Sequence, residues 1–414
     1  MQSLRASLAD ALAPASPEAD VGRRLALRAL WFTAAVGVIR TLLIAPRENR
    51  GTDFEPIWAA VQRYVHGVPV YNEDYTTLDP HYLYSPGANV VLAPLALFGS
   101  FSVARGAMIA ATALSVIAAI WLAARMLTRC GALPLTLLTV GVFFNTAEPV
   151  HSTIKYTNIN GFLLLVMVLF VWFTLALHHG PREPMLRQFA RPEMYLAGVL
   201  LGYAVTIKPH FIVLTALPVL LLQWPVLLVA AGVYALLMCT GWATTSEAQW
   251  YTDRLLPYLR QPRGYDNGSL RAVVGDLGFG TAAQYAAMGA VLVAVVTAVV
   301  ALFPLRRRNT ASWAFTTLGV LFAGVFLAGG LLQGYYAMWL IPMALTIVRP
   351  HTPMRLIIMW VAVLLTLSGL SGLFTHGVLA DSRGSLGPTV GWVLIPFIVA
   401  VWAVRERAGA GRVR

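Results

Sequence analysis

Four stretches of the chain, residues 25–45, 103–127, 161–177 and 286–303, run almost without a polar interruption and show no strict alternation. Each is close to the ~20 residues a helix needs to cross the hydrocarbon core of a bilayer. Lipid cannot solvate backbone N–H and C=O groups, so such runs predict transmembrane helices. Arginines punctuate the pattern at residues 23, 24 and 28, at 125 and 129, at 182, 187 and 191, at 306–308, at 349 and 355, and from 405 to 414. Taken as cytoplasmic anchors, they predict about twelve spans, near 25–45, 101–127, 132–148, 161–178, 193–207, 209–223, 225–243, 282–303, 312–331, 335–348, 355–375 and 389–404. The pair 193–207 and 209–223 is short and reads as a hairpin that does not fully cross.

Three polar intervals then fall on the outer side: residues 46–99, 148–160 and 244–281. Within the first, 54–64 reads as a short amphipathic helix on the membrane and 86–98 as an interfacial segment. The expectation is an all-α polytopic membrane protein with one membrane domain, 25–404, and periplasmic loops carrying short interfacial helices. A disordered cytoplasmic tail, 1–24, precedes the domain, and a cytoplasmic tail, 405–414, follows it.

Composition supports this reading. The 414-residue chain is 58% hydrophobic and 12% charged, about half the charge of an ordinary soluble protein. Its formal charge of +12 is explained by arginines at loop ends and calls for no nucleic-acid partner. Cys130 and Cys239 are the only cysteines, so neither a disulfide nor a metal site is expected. Of the 30 basic residues only Lys155 and Lys208 are lysine, and both are predicted outside, where few basic residues belong. A compact ammonium suits a phosphate; the competing reading is a lysine snorkelling to water.

Asp53 follows the first span at the membrane surface. A carboxylate there suits general-base work on a hydroxyl, while its spacing alone favours a helix cap. Glu55, His81, Tyr82 and Tyr84 in the first outer loop suit a sugar's hydroxyls and ring faces; an interfacial aromatic belt competes for Tyr82 and Tyr84. The Lys155, Tyr156, Asn158 and Asn160 cluster is too polar for a bare turn between helices. Gln333, Tyr335 and Tyr336 break an apolar stretch, and Arg40 lies near the outer end of the first span; polar groups at such depth are functional candidates. No phosphate-binding glycine loop, Cys/His cluster or nucleophile elbow is present. The inner loops are too short to hold a nucleotide-sugar domain, so the donor of any sugar transfer here must be lipid-borne.

The ordered blocks Asp53-Phe54-Glu55-Pro56, His66-Gly67, Tyr71-Asn72-Glu73, Asp79-Pro80-His81-Tyr82-Leu83-Tyr84, Thr157-Asn158-Ile159-Asn160-Gly161, Lys208-Pro209, Leu256-Pro257-Tyr258 and Gln333-Gly334-Tyr335-Tyr336 closely resemble the decaprenyl-phosphoarabinose-dependent α-(1→3)-arabinofuranosyltransferases of glycosyltransferase family 87, in the GT-C superfamily. The resemblance implies a GT-C fold in a bacterial plasma membrane with its site facing the periplasm. It implies inverting, cofactor- and metal-independent transfer of arabinofuranose from a polyprenyl-phosphate donor to an arabinan acceptor of arabinogalactan or lipoarabinomannan. In it, Asp53 would be the base. Lys208, Gln333, Tyr335, Tyr336 and Arg40 would serve the donor. Glu55, His81, Tyr82, Tyr84, Lys155, Tyr156, Asn158, Asn160, Tyr258, Arg263 and Asn267 would serve sugar and acceptor. Polyprenyl-phosphomannose mannosyltransferases share the layout, and a lipid or sugar transporter is the rival of another class. Two departures stand out: Tyr84-Ser85-Pro86 replaces a usual Tyr-Pro-Pro, and Asn267-Gly268-Ser269 an Asn-Ser-Ser.

Overall fold

The computed structural model describes residues 17–77, 79–128, 131–180, 185–261, 263, 267–367 and 386–411. Every regular element among them is a helix. The chain opens on α1, Pro17–Glu48, so residues 17–24 of the expected disordered tail are helical; Pro17 suits a first helical position, where its missing N–H costs nothing. Residues 1–16, Cys130 and the far part of the expected eleventh span, 368–375, lie outside the described residues.

Seven described helices are long and apolar enough to cross a membrane: Val21–Glu48, Phe101–Leu127, Asn160–His179, Trp224–Thr244, Thr281–Arg307, Thr310–Ala328 and Leu386–Ala408. Ala132–Thr146 and Glu148–Tyr156 qualify only together and are bent by 67°. Three further expected spans are shorter, Pro192–Ile207, Pro209–Leu220 and Gly334–Val348, and the described part of a fourth is Ile357–Leu367. At 1.5 Å per residue a helix of this size spans less than the ~30 Å hydrocarbon core. The cause is local. Pro209 follows Lys208 and starts a 3₁₀ stretch, Pro209–Thr215, and Gly334–Leu340 is also 3₁₀, followed by a single α-turn at Ile341–Ala344 that contains Pro342. Such backbone is tolerated at membrane depth only where protein encloses it, and Tyr335 through Thr346 are buried throughout.

In the first outer interval, α2 (Phe54–Val65) buries Phe54, Pro56, Ile57, Ala60 and Val61 along one face against α3 (Pro86–Leu92) and the 3₁₀ turn Ala93–Phe98. Ser85 caps α3 by accepting from Ala88 N at 3.4 Å and donates to the Thr206 carbonyl at 2.9 Å. A proline there could make neither bond, so the serine anchors this interval to the end of α8 (Pro192–Ile207).

One flank packs α1 on α5 (Ala132–Thr146), α4 (Phe101–Leu127) on α7 (Asn160–His179), and α8 on both α7 and α9 (Trp224–Thr244); α6 (Glu148–Tyr156) joins α1. After a short α10 (Leu270–Asp276), the other flank packs α11 (Thr281–Leu302), α12 (Thr310–Ala328) and α13 (Ile357–Leu367) around α14 (Leu386–Gly411). An aromatic column of Phe211, Phe322, Phe326, Tyr336 and Trp339 joins the flanks, with stacked Phe322–Trp339 and Tyr336–Trp339 rings 5.6 and 5.2 Å apart. Outward faces carry exposed Phe32, Leu236, Leu292 and Ile357, as lipid-facing helices do.

The α3–α9 contact is close because Gly241 has no side chain. A Cβ there would overlap the Pro86 carbonyl and lie 2.6 Å from Gly87 N, whereas one at Gly232 on the same helix meets nothing within 4 Å. Gly241→Ala is expected to cost about 1–3 kcal/mol and lower the thermal midpoint in detergent, while Gly232→Ala leaves it unchanged or slightly raised. Equal midpoints for the two variants would refute the contact.

Candidate active site

The loop leaving α1 is built around Asn49, whose side-chain oxygen accepts from Gly51 N at 2.7 Å and Thr52 N at 2.9 Å. Such an Asx turn reverses the chain within three residues. Gly51 has φ +86°, and a Cβ on it would lie 2.8 Å from Arg105 Nε. Arg105 of α4 donates to the Pro46 and Asn49 carbonyls at 2.9 and 2.6 Å, and to Thr157 Oγ1 at 3.2 Å. One guanidinium thus fixes the exit of α1 to the corner between α6 and α7.

Asp53 stands at the N-cap position of α2, but its side chain makes no capping bond. The cap reading therefore fails, and the half-buried carboxylate faces a cleft instead. Burial raises its pKa above the ordinary carboxylate range; the charges of Lys208 and Arg263 and the polar groups of Tyr335 and Asn158 oppose that rise without cancelling it. Burial, reinforced by the Asp53 charge, also pushes up the Tyr84 phenol, which stays protonated and able to donate.

The α6–α7 corner turns on Thr157, a non-glycine in the left-handed region at φ 57°, which costs of order 1 kcal/mol or more. That turn sends Asn158 and Asn160 inward, 2% and 0% exposed. Asn158 Oδ1 accepts from Asn160 N at 3.0 Å, yet the Nδ2 groups of both residues have no hydrogen-bond partner among the described residues. Buried donors are normally satisfied, so two unmet amides beside a carboxylate mark a place prepared for a polar ligand.

Lys208 enters from the end of α8. Its ammonium donates to Asn160 Oδ1 at 2.8 Å and lies 4.9 Å from the Tyr336 ring centroid and 5.6 Å from that of Trp339. Burial lowers it to about 8, against the pull of the Asp53 charge. Gln333 accepts from the Tyr335 hydroxyl. Asp53, Tyr84, Asn158, Asn160, Lys208, Arg263, Tyr335 and Tyr336 therefore converge from six separated parts of the chain.

Other expected residues lie elsewhere or are committed to structure. Arg40 is exposed and donates to the Asn145 carbonyl at 3.3 Å. Lys155 pairs with Glu48 at 3.3 Å, and His151 joins the same carboxylate at 2.9 Å. Tyr82 is fully buried, with its hydroxyl 2.6 Å from Asn89 Oδ1. Asn267 donates to Arg263 O and Gly330 O and accepts from Ser269 N and Leu332 N, all at 2.8–3.0 Å. It pins the third outer interval to the approach of Gln333. Glu55 is exposed on α2, while Tyr156 carries the backbone carbonyl that receives Asp53 N at 3.3 Å. His81 and Tyr258 belong to an aromatic cluster with Tyr75, their ring centroids 5.4 Å apart. Sequence reasoning missed Arg105 and Trp339. The signal for Arg105 was a lone charge at the outer end of an apolar run; Trp339 gave none beyond its neighbours. Among the described residues no three His, Cys, Asp or Glu side chains gather as metal ligands. The cleft offers a proton acceptor, a cation and unpartnered amide donors, a set suited to a phosphate beside a hydroxylated ring.

The family model of glycosyltransferase family 87 matches residues 82–329. A relative named α-(1→3)-arabinofuranosyltransferase from Corynebacterium glutamicum is 32% identical over 372 residues, covering 87% of this chain and 83% of the relative. Relatives of the same name from Mycolicibacterium smegmatis and Mycobacterium tuberculosis are 31% and 30% identical, covering 81% and 79% of this chain and 75% and 73% of their own. No solved structure matches the chain.

Arg105→Ala would leave the Pro46 and Asn49 carbonyls without their donor. The expected cost is about 2 kcal/mol or more, read as a lower thermal midpoint in detergent together with lost activity; an unchanged midpoint would remove Arg105 from this role.

Proposed function

The chain belongs to glycosyltransferase family 87, an enzyme family of sugar transfer, and from that premise we propose that it moves arabinofuranose from decaprenyl-phosphoarabinose onto an arabinan acceptor in α-(1→3) linkage with inversion. The convergence of Asp53 and Lys208 on one cleft carries this reading. In it, the chain is a GT-C enzyme of the bacterial plasma membrane whose shorter apolar segments bring the crossings towards twelve, with the cleft opening on the periplasmic side.

The reaction is a single displacement. An acceptor hydroxyl attacks the anomeric carbon, the bond to the lipid phosphate breaks on the opposite face, and Asp53 takes the hydroxyl proton. The transition state has oxocarbenium character, and negative charge grows on the departing phosphate. Lys208 answers that charge in a site poor in water, where a fixed cation acts more strongly than in bulk solvent. Inversion in one step needs one carboxylate and no covalent intermediate. In this reading the Asn158 and Asn160 amides, with the Tyr84 and Tyr335 hydroxyls, hold sugar oxygens. The relatives' printed names support the choice of arabinose; the shared layout of family 87 supports the lipid-phosphate donor.

Purified enzyme given labelled decaprenyl-phosphoarabinose and a synthetic arabinan is expected to form an α-(1→3) product, and transfer from the mannose donor alone would overturn the reading. Because burial raises the Asp53 pKa, its ionisation opposes folding above that value. Asp53→Asn should therefore keep the neutral-pH thermal midpoint while abolishing turnover.

The same shifts set the pH profile. The rate should fall on the acid side with a midpoint above the ordinary value of ~4, as Asp53 is protonated. It should fall again as pH rises through about 8, where Lys208 loses its charge. Lys208→Arg should remove the alkaline limb, and Lys208→Ala should lower kcat by roughly 10²-fold. A profile flat from pH 4 to 9 would exclude both roles.

A further inference from the structure

The helix α12 ends near the active-site cleft, at the segment Asn267 pins in front of Gln333. Its other end, about 28 Å away at 1.5 Å per residue, borders a separate cavity of about 410 Å³. That distance is close to the thickness of a hydrocarbon core, so the cavity lies at the opposite membrane level from Asp53. Its lining includes Arg308, Asn309, Trp313, Arg349, His351 and Trp402 beside an apolar wall from the end of α11.

The electrostatics of this cavity are incomplete. Glu406 accepts from Arg308 at 2.5 Å and sits 2.7 Å from His351 Nδ1, so a single carboxylate serves Arg308 and His351 together. Arg349 is half-buried, its Nε is enclosed, and its side chain has no hydrogen-bond or ion-pair partner among the described residues. Trp313, 3% exposed, lines the cavity, and its indole N–H also has no partner. Asn309 caps α12 by accepting from Ser312 N at 2.7 Å, which directs the positive end of the helix dipole to the same place. An unmatched guanidinium, an unmatched N–H and a helix start favour an anion with several acceptor oxygens. Two tryptophans and an apolar wall favour one that carries acyl chains at the membrane interface.

We propose that this cavity binds the phosphate of a membrane-lipid headgroup, with Arg349 as its principal contact and Trp313 as a second donor. The lipid belongs to the leaflet opposite the active-site cleft, so this site is distinct from the donor site. Basic pockets between membrane helices select anionic headgroups by this chemistry.

Native mass spectrometry of the delipidated full chain in detergent tests it, with phosphatidylglycerol, diacylglycerol and inorganic phosphate as probes. Phosphatidylglycerol is expected to bind and diacylglycerol, which lacks the phosphate, is not. Arg349→Gln should weaken phosphatidylglycerol binding at least tenfold with an unchanged thermal midpoint in lipid-free detergent, and Trp313→Phe should weaken it less. Displacement of the lipid by millimolar inorganic phosphate would support recognition through the phosphate. Equal binding of diacylglycerol, undiminished phosphatidylglycerol binding in both variants, or inorganic phosphate binding as tightly as phosphatidylglycerol would overturn the proposal.

Discussion

A buried ammonium persists only where nearby groups answer its charge, and the interior of this protein is arranged around Lys208. Its hydrogen bond to Asn160 holds the α6–α7 corner, and its contact with the faces of Tyr336 and Trp339 fixes the 3₁₀ segment that follows α12. The opposing charge is Asp53, whose backbone is tied to the same corner through Tyr156. Burial alone would discharge both groups; each moderates the other's shift. Lys208 donates to Asn160, and among the described residues no ion pair joins it directly to Asp53. The space between them is where charge can change during a reaction.

This arrangement also sets a tension between stability and function. Thr157 holds a left-handed backbone, and the amides of Asn158 and Asn160 lack partners. Burial presses the Asp53 carboxyl towards its protonated form while Lys208 and Arg263 pull it towards the charged one. Each feature costs free energy in the unliganded protein, and each is offset by anchoring from outside the cleft. Arg105 braces the α1 exit, Ser85 braces the end of α8, and Asn267 braces the approach to Gln333. Strain near a site is expected where surrounding structure over-determines it.

Much of this was legible in the sequence because lipid enforces a simple grammar. Long apolar runs read correctly as helices, and α2 was found from its amphipathic spacing. The roles of single polar residues were less legible, because spacing shows where a residue lies and not what it meets. Asp53 looked like a cap and caps nothing. Tyr82 and Asn267 were expected to serve sugar and acceptor, yet their polar atoms bond residues that no local pattern would pair with them. Lys155 and Lys208 were singled out together for their rarity, but the first forms an ion pair with Glu48 at the end of α1 and only the second reaches the cleft. Partnership across long sequence separations separates the two, and a single sequence does not display it.

The shorter or bent apolar segments Pro192–Ile207, Gly334–Val348 and Ala132–Thr146 with Glu148–Tyr156 are also those that lead into the cleft. A continuous α-helix satisfies its own backbone and leaves little for a ligand; a break frees backbone groups and turns side chains sideways. Pro209 ends the path of α8 at Lys208. Gly334 and Pro342 lie in the irregular stretch that carries Tyr335, Tyr336 and Trp339, and the left-handed turn at Thr157, which ends the α6 segment bent by 67° from α5, sends Asn158 and Asn160 inward. Such breaks survive at membrane depth only if protein covers them. The aromatic column of Phe322, Phe326 and Trp339 supplies that cover. Straightening any of these breaks would lengthen a span and at the same time withdraw a polar group from the cleft.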